Sequence, residues 1–126
     1  MIRVPEGGRI EVRAPDGSAN PYLAFTALLS AGLDGVARQA DPGDPNGDNL
    51  FALGLDEIAA RGITALPPTL LHACDDLVAD DVLRSGFGTG RDGDYVDYFA
   101  EVKRAEFRAV NDQVGPAEID RYLTLM

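Results

Sequence analysis

From Pro21 to about Gln39 the chain places Leu23, Ala24, Phe25, Ala27, Leu28, Leu29, Ala31 and Leu33 in one segment. Wound as a helix, these side chains are apolar on nearly every side rather than along one stripe. Asn20 offers an N-cap and Pro21 the first helical position, so the helix is predicted to start there. Such a helix requires burial all round, and the few elements that follow would have to cover it alone. The expectation is that more protein packs against it. With 126 residues, 45% of them hydrophobic, and a mean hydropathy of −0.09, the chain is long enough for one soluble domain with a core of its own.

Ahead of this helix, Arg9-Ile10-Glu11-Val12-Arg13 alternates charged and apolar residues. In a strand, Arg9, Glu11 and Arg13 share one face, and Ile10 and Val12 the other. A third arginine, Arg3, lies just upstream. The guanidinium fork suits carboxylate or phosphate oxygens, and a carboxylate between arginines can still ligate Mg²⁺ or Mn²⁺. The alternative is a solvent-facing strand whose paired charges contribute roughly 0 to 1 kcal/mol each. Spacing alone does not choose between the two.

The remainder is predicted to be mainly helical. Asp16 to Ser18 reads as a turn, and Asp41-Pro42-Gly43-Asp44-Pro45-Asn46-Gly47-Asp48-Asn49 as a solvated loop outside the EF-hand register. Short helices are expected from Leu55 to Ala60, stopped by Gly62, and from Pro68 to about Val78, with a further turn from Asp80 to Leu83. The cluster Gly86-Phe87-Gly88-Thr89-Gly90-Arg91-Asp92-Gly93 lacks the Lys-Ser/Thr pair of a phosphate loop and reads as a flexible connector. From Asp94 on, Tyr95, Tyr98, Phe99, Val102, Ala105, Ala109 and Val110 recur at helical steps, with Glu101, Arg104 and Arg108 on the opposite face. Glu106 falls on the apolar side, where it either finds a partner or reaches solvent. A last short helix is expected from Pro116 to about Leu125. No internal repeat or low-complexity tail is present.

Outside the first strand there is little that could catalyse. His72 is the only histidine and reads as an ordinary helical residue; Cys74, two positions on, points to another face and reads as a buried thiol. Asp75, Asp76, Asp80 and Asp81 read as a solvated helix end. The net charge of −10 disfavours nucleic acid and anionic membrane surfaces as partners. A single cysteine, with no signal-peptide pattern and no apolar run long enough to span a bilayer, leads to the expectation of a cytoplasmic protein.

The runs Ile2-Arg3-Val4-Pro5, Arg9-Ile10-Glu11-Val12-Arg13-Ala14-Pro15-Asp16, Ala19-Asn20-Pro21-Tyr22-Leu23 and Ala31-Gly32-Leu33-Asp34-Gly35 closely resemble the C-terminal part of the glutamine synthetase catalytic domain. Weaker similarity continues through Asn49-Leu50-Phe51, Leu66-Pro67, Asp81-Val82-Leu83, Lys103-Arg104-Ala105-Glu106-Phe107 and Glu118-Ile119-Asp120-Arg121-Tyr122-Leu123, so that it covers essentially the whole chain. Within the family the chain resembles the type III glutamate-ammonia ligase branch, which includes ligases that join glutamate to other amines.

The resemblance implies an α+β fold: a short N-terminal strand region followed by about five helices, with residues 1–126 forming the C-terminal portion of a catalytic domain. It also implies a ligase that moves the ATP γ-phosphate onto the glutamate side chain, after which ammonia or another small amine displaces phosphate. Glu11 then matches a ligand for Mg²⁺ or Mn²⁺, Arg13 the arginine that holds glutamate, and Arg3 and Arg9 arginines that contact the ATP phosphates. No residue of the chain matches a catalytic acid or base. The family's other metal ligands and its ammonium site are expected from segments outside this chain, and a homo-oligomer is expected only of the full-length enzyme. Phe51 stands where adenylylated relatives carry a tyrosine, so control through that hydroxyl is not expected. The competing expectation is a truncated or split product without catalysis, acting at most as an interaction module.

Overall fold

The computed structural model describes residues 2–91 and 93–123. They form two compact units, residues 1–40 and 41–126. The first holds an antiparallel pair, β1 (Ile2–Glu6) and β2 (Arg9–Val12), followed by helix α1 (Pro21–Ala37). The sequence reading had only β2 as a strand. Its partner forms because Gly7 and Gly8 allow a two-residue turn, with Gly8 at φ 85°, which an L side chain disfavours. Arg3 pairs with Glu11 and Glu6 with Arg9, with a bulge between them. Pro5, which has no N–H to give to a ladder, falls within that irregular stretch.

α1 begins where expected. The Asn20 side chain accepts from the backbone N–H groups of Tyr22 and Leu23, and Pro21 occupies the first turn. The turn before it is tied at Asp16, whose carboxylate accepts from the Ser18 hydroxyl and amide at 2.6 and 2.7 Å. These bonds, the hydroxyl first, hold the Asp16 carboxyl below its usual range. No residue of α1 is buried. Tyr22 is 82% exposed and Val36 76%, and Phe25, Leu29 and Leu33 are also exposed, so the burial this helix requires is not met within its own unit. Because Leu29 and Val36 touch little, Leu29→Glu and Val36→Glu are expected to shift the isolated chain's urea midpoint by no more than about 0.5 kcal/mol equivalent. A cooperative loss of helix in either variant would contradict that exposure.

The second unit contains a 3₁₀ turn, Leu50–Ala52, then α2 (Leu55–Ala60), α3 (Leu70–Ala79), α4 (Asp81–Phe87), the two-residue strands β3 (Thr89–Gly90) and β4 (Gly93–Asp94), α5 (Tyr95–Asn111) and α6 (Pro116–Tyr122). The glycine cluster is thus not a loose connector throughout. α4 runs through Gly86, and Thr89 pairs with Asp94 across a small ladder. Of the expected last helix, Leu125 lies outside the described residues. Among the described residues, no helix is long and apolar enough to cross a membrane.

The core of this unit is where α3 packs on α5, around Cys74, Val96 and Ala100. The buried stripe of α5 is therefore rotated from the one periodicity predicted. Tyr98, Val102 and Val110 are exposed, while Val96 and Ala100 are fully buried. Tyr95 and Phe99 of the predicted stripe stay half-buried in a ring cluster with Phe87, while the small Ala100 permits close approach of a neighbouring helix and turns the fully buried side toward Val96. Arg104, expected on the solvent face, is half-buried and pairs with Asp75 of α3 at 2.6 Å and with Glu101 at 3.2 Å. Glu106 reaches solvent and pairs with Lys103.

The acidic run also departs from its reading as a solvated helix end, because two of its members have structural work. Asp75 meets Arg104, and the half-buried Asp80 caps α4 by accepting from Leu83 N–H at 2.9 Å. Arg84 joins the elements: it donates to the Val78 carbonyl and pairs with Asp94 and Asp97 at 2.8 and 3.0 Å. The Arg84 guanidinium holds the Asp94 carboxyl below its usual range, with the α5 N-terminal amides adding to the effect. A carboxyl depressed on folding stabilises the unit above its unfolded pKa, about 4, and that contribution is lost as pH falls through the lower folded value. The urea midpoint is accordingly expected to fall less steeply below pH 4 in Asp94→Asn than in the wild type. Parallel curves would refute the coupling.

Candidate functional site

The first unit brings together all four charged residues that the sequence singled out. Alternation along β2 puts Arg9 and Glu11 on one face, and Arg13, the residue just past the strand's end, reaches the same carboxylate; the register of β1 sets Arg3 directly opposite Glu11. Arg9 donates from Nη2 to Glu11 Oε1 at 3.3 Å, and Arg13 from Nη2 to Oε2 at 3.3 Å. Arg3 Nη1 lies 3.5 Å from the same Oε2. Three guanidinium groups thus converge on one carboxylate, and both of its oxygens are engaged. The arginine side chains are 61 to 68% exposed, and that of Glu11 30%. Exposed ion pairs of this kind hold geometry weakly, at roughly 0 to 1 kcal/mol each.

The other face of the pair carries Ile10 and Val12, of which Ile10 stays exposed. Ile10 and Val12 line an open groove of about 440 Å³ with Pro15, Ala24, Phe25 and Leu28, and Phe25 also remains exposed there. What the sequence reading missed was the partner strand, not a residue. The signal for it was the Gly7-Gly8 pair between two short β-compatible runs.

Glu11 offers hard carboxylate oxygens on an accessible face, which suits one ligand position of Mg²⁺ or Mn²⁺. It can supply no more than part of a coordination shell, since no group of three or more His, Cys, Asp or Glu able to hold a metal occurs among the described residues. The remaining candidates sit in the second unit and play other parts. His72 is exposed and its Nδ1 meets Thr69 Oγ1 at 2.7 Å near the start of α3, whereas Cys74 is buried, as their different helical faces predict. Phe51 is fully exposed in the 3₁₀ turn. The loop 41–49 is held by its own Asx-type bonds, Asp41 to Gly43 N–H and Asn46 to Asp48 N–H.

Comparison with known proteins gives this strand its context. The family model described as glutamine synthetase, catalytic domain, matches residues 1–122. A glutamate–methylamine ligase of Methyloversatilis universalis is 42% identical over 123 residues, spanning 98% of this chain and 26% of that protein. A glutamine synthetase of Methanosarcina mazei is 38% identical over 130 residues, covering all of this chain and 28% of its relative. A solved structure of apo GmaS without ligand superposes with a TM-score of 0.77 at 38% identity, over 98% of this chain and 27% of that one. The chain belongs to the glutamine synthetase family and carries part of its catalytic domain, in the expected α+β form. It spans about a quarter of the length of these relatives.

Proposed function

We propose that residues 1–126 form the C-terminal portion of a glutamine synthetase-type catalytic domain and contribute one wall of the active site of a glutamate–ammonia or glutamate–amine ligase. The reaction is ATP-dependent amide formation through γ-glutamyl phosphate. The observation that carries the reading is the convergence of Arg3, Arg9 and Arg13 on Glu11 in a chain of this family. The unburied α1 supports the domain assignment, because an apolar helix left open by its own unit fits a surface that the rest of a catalytic domain covers.

In this reading the roles follow from charge and geometry. Phosphoryl transfer depends on positioning and charge neutralisation. Arg3 and Arg9, on adjacent strands, present guanidinium groups to the phosphate oxygens of ATP. Arg13, at the far end of the row, pairs with the carboxylate of glutamate, where a planar fork matches two oxygens. Glu11, between them, supplies one oxygen ligand for Mg²⁺ or Mn²⁺. When bound, that cation neutralises phosphate charge and orients the transferring group. The arginines keep nucleotide and glutamate side by side along the strand pair and its C-terminal edge.

A chimera tests this directly: the matching segment of the Methyloversatilis universalis ligase is replaced by this chain. The chimera is expected to form a γ-glutamyl amide from ATP, glutamate and ammonia or methylamine with Mg²⁺. A soluble, assembled chimera with no turnover would count against the reading and for a non-catalytic product. Within it, Arg13→Ala is expected to raise KM for glutamate at least about tenfold, with a smaller change in KM for ATP. Equal effects on both substrates would remove the glutamate role. The 126-residue chain alone is expected to show no turnover of the same substrates, since one carboxylate cannot build the metal site; measurable amide formation would sink that expectation.

A further inference from the structure

We propose that Asp16 is the positioning residue for Arg13: the turn it closes sets where that guanidinium stands, and so how tightly the site holds the carboxylate of glutamate. This rests on the reading of Arg13 given above and deepens it. The three arginines of the row are held by different devices. Arg3 and Arg9 sit within the strand pair, where Arg3 faces Glu11 and Arg9 faces Glu6. Arg13 does not, since among the described residues the pairing ends at Ile2 and Val12. Its side chain, 68% exposed, meets Glu11 at 3.3 Å, and an exposed contact of that length is too weak to fix it alone.

The backbone of Arg13 takes its place from the segment that follows. Pro15 has a fixed φ and restricts Ala14 before it to extended conformations. Asp16 then closes the turn twice. Its carbonyl accepts from Ala19 N–H at 3.0 Å, and its side-chain Oδ1 accepts from the Ser18 amide and hydroxyl at 2.7 and 2.6 Å. Asn20 caps α1 directly afterwards, and Pro21 enters the helix. Gly17, inside the turn, has open space around it and adds no restraint of its own. Asp16 also lines the open groove together with Val12 and Pro15 and with Pro21 and Ala24 of α1, so it stands where the strand's end and the helix's start meet.

A guanidinium grips a carboxylate through two parallel bonds, which demand one plane and one distance. Without the Oδ1 bonds, Gly17 and Ser18 sample other conformations, and binding of glutamate has to order the loop before Arg13 can pair. Arg3 and Arg9 keep their ladder, so the nucleotide side is spared. Both side-chain bonds use a single oxygen of Asp16, which asparagine also carries. Asparagine therefore preserves the turn, and alanine removes it.

The experiment uses the active chimera. Asp16→Ala is expected to raise KM for glutamate about three- to tenfold, with kcat and KM for ATP within about twofold of the unsubstituted chimera. Ser18→Ala, which removes one of the two bonds, is expected to fall between them, and Asp16→Asn to stay within about twofold of the unsubstituted chimera. Introduced into Arg13→Ala, Asp16→Ala is expected to add less than about twofold, because a residue that acts through Arg13 then has nothing to act on. NMR relaxation of the 126-residue chain gives a readout that needs no substrate. The order parameter of the Arg13 amide is expected to drop from about 0.8 to below about 0.6 in Asp16→Ala, with Arg9 and Glu11 unmoved.

Arg13→Ala leaving KM for glutamate unmoved removes the glutamate reading of Arg13, and this inference with it. If Arg13→Ala does raise that KM, three results overturn the positioning role alone: Asp16→Ala at the unsubstituted value, Asp16→Ala raising KM for both substrates alike, or its full effect adding to that of Arg13→Ala. An Arg13 amide as ordered in Asp16→Ala as in the wild type overturns it too, whatever the kinetics.

Discussion

Glu11→Ala in the active chimera is expected to lower kcat for amide formation by about a thousandfold or more. Two losses coincide at this one position. The cation site loses an oxygen ligand that no neighbour in the described part of the chain can replace, and three arginines lose the only carboxylate that they share. If Glu11 were merely a surface residue pairing with its neighbours, the same substitution would shift stability by roughly 1 kcal/mol or less and leave turnover near wild type. Steady-state kinetics at saturating Mg²⁺ separate the two. Partial rescue by raised Mn²⁺ concentration would further tie the defect to the cation, and near-normal kcat would refute the assignment.

Val96→Glu is expected to destabilise the second unit by about 4 kcal/mol or more, enough to leave it largely unfolded at 25 °C. Val96 is fully buried between α5 and α3, next to Ala100 and Cys74, and a carboxylate there has no water to reach. Tyr98→Glu, two residues on, is expected to cost about 1 kcal/mol or less, because Tyr98 is 65% exposed and a negative charge near the N-terminus of α5 is favourable. Urea unfolding followed by circular dichroism compares the pair. The contrast is decisive because the heptad-like count of apolar residues along α5 places Tyr98, not Val96, on the buried side. Comparable losses in both variants would mean that α5 is rotated from the position described.

Local features were the ones most legible in the residues. The strand at Arg9–Val12, one residue short of the expected run through Arg13, the Asn20-Pro21 start of α1, the stop at Gly62 and the buried Cys74 each depend on a few neighbours and on backbone stereochemistry. The pairing of Arg3 with Glu11 was not legible, because register depends on how a turn and a bulge add up over several residues. The roles of Asp75, Arg84 and Arg104 were likewise hidden. A charged side chain's partner 13 or 29 positions away is set by packing and leaves no periodic trace.

By itself, then, the amino-acid order determined which residues share a face of β2, where the helices start, and that the chain resembles one family along nearly its whole length. Only the tertiary structure decided that Arg3 joins the row on Glu11, that α5 turns Val96 and Ala100 inward, and that α1 is left unburied by the rest of its own unit. The physical reason is common to all three. Local sequence limits the faces an element can present, but which face is used depends on what surface lies opposite, and burial is a property of the pair.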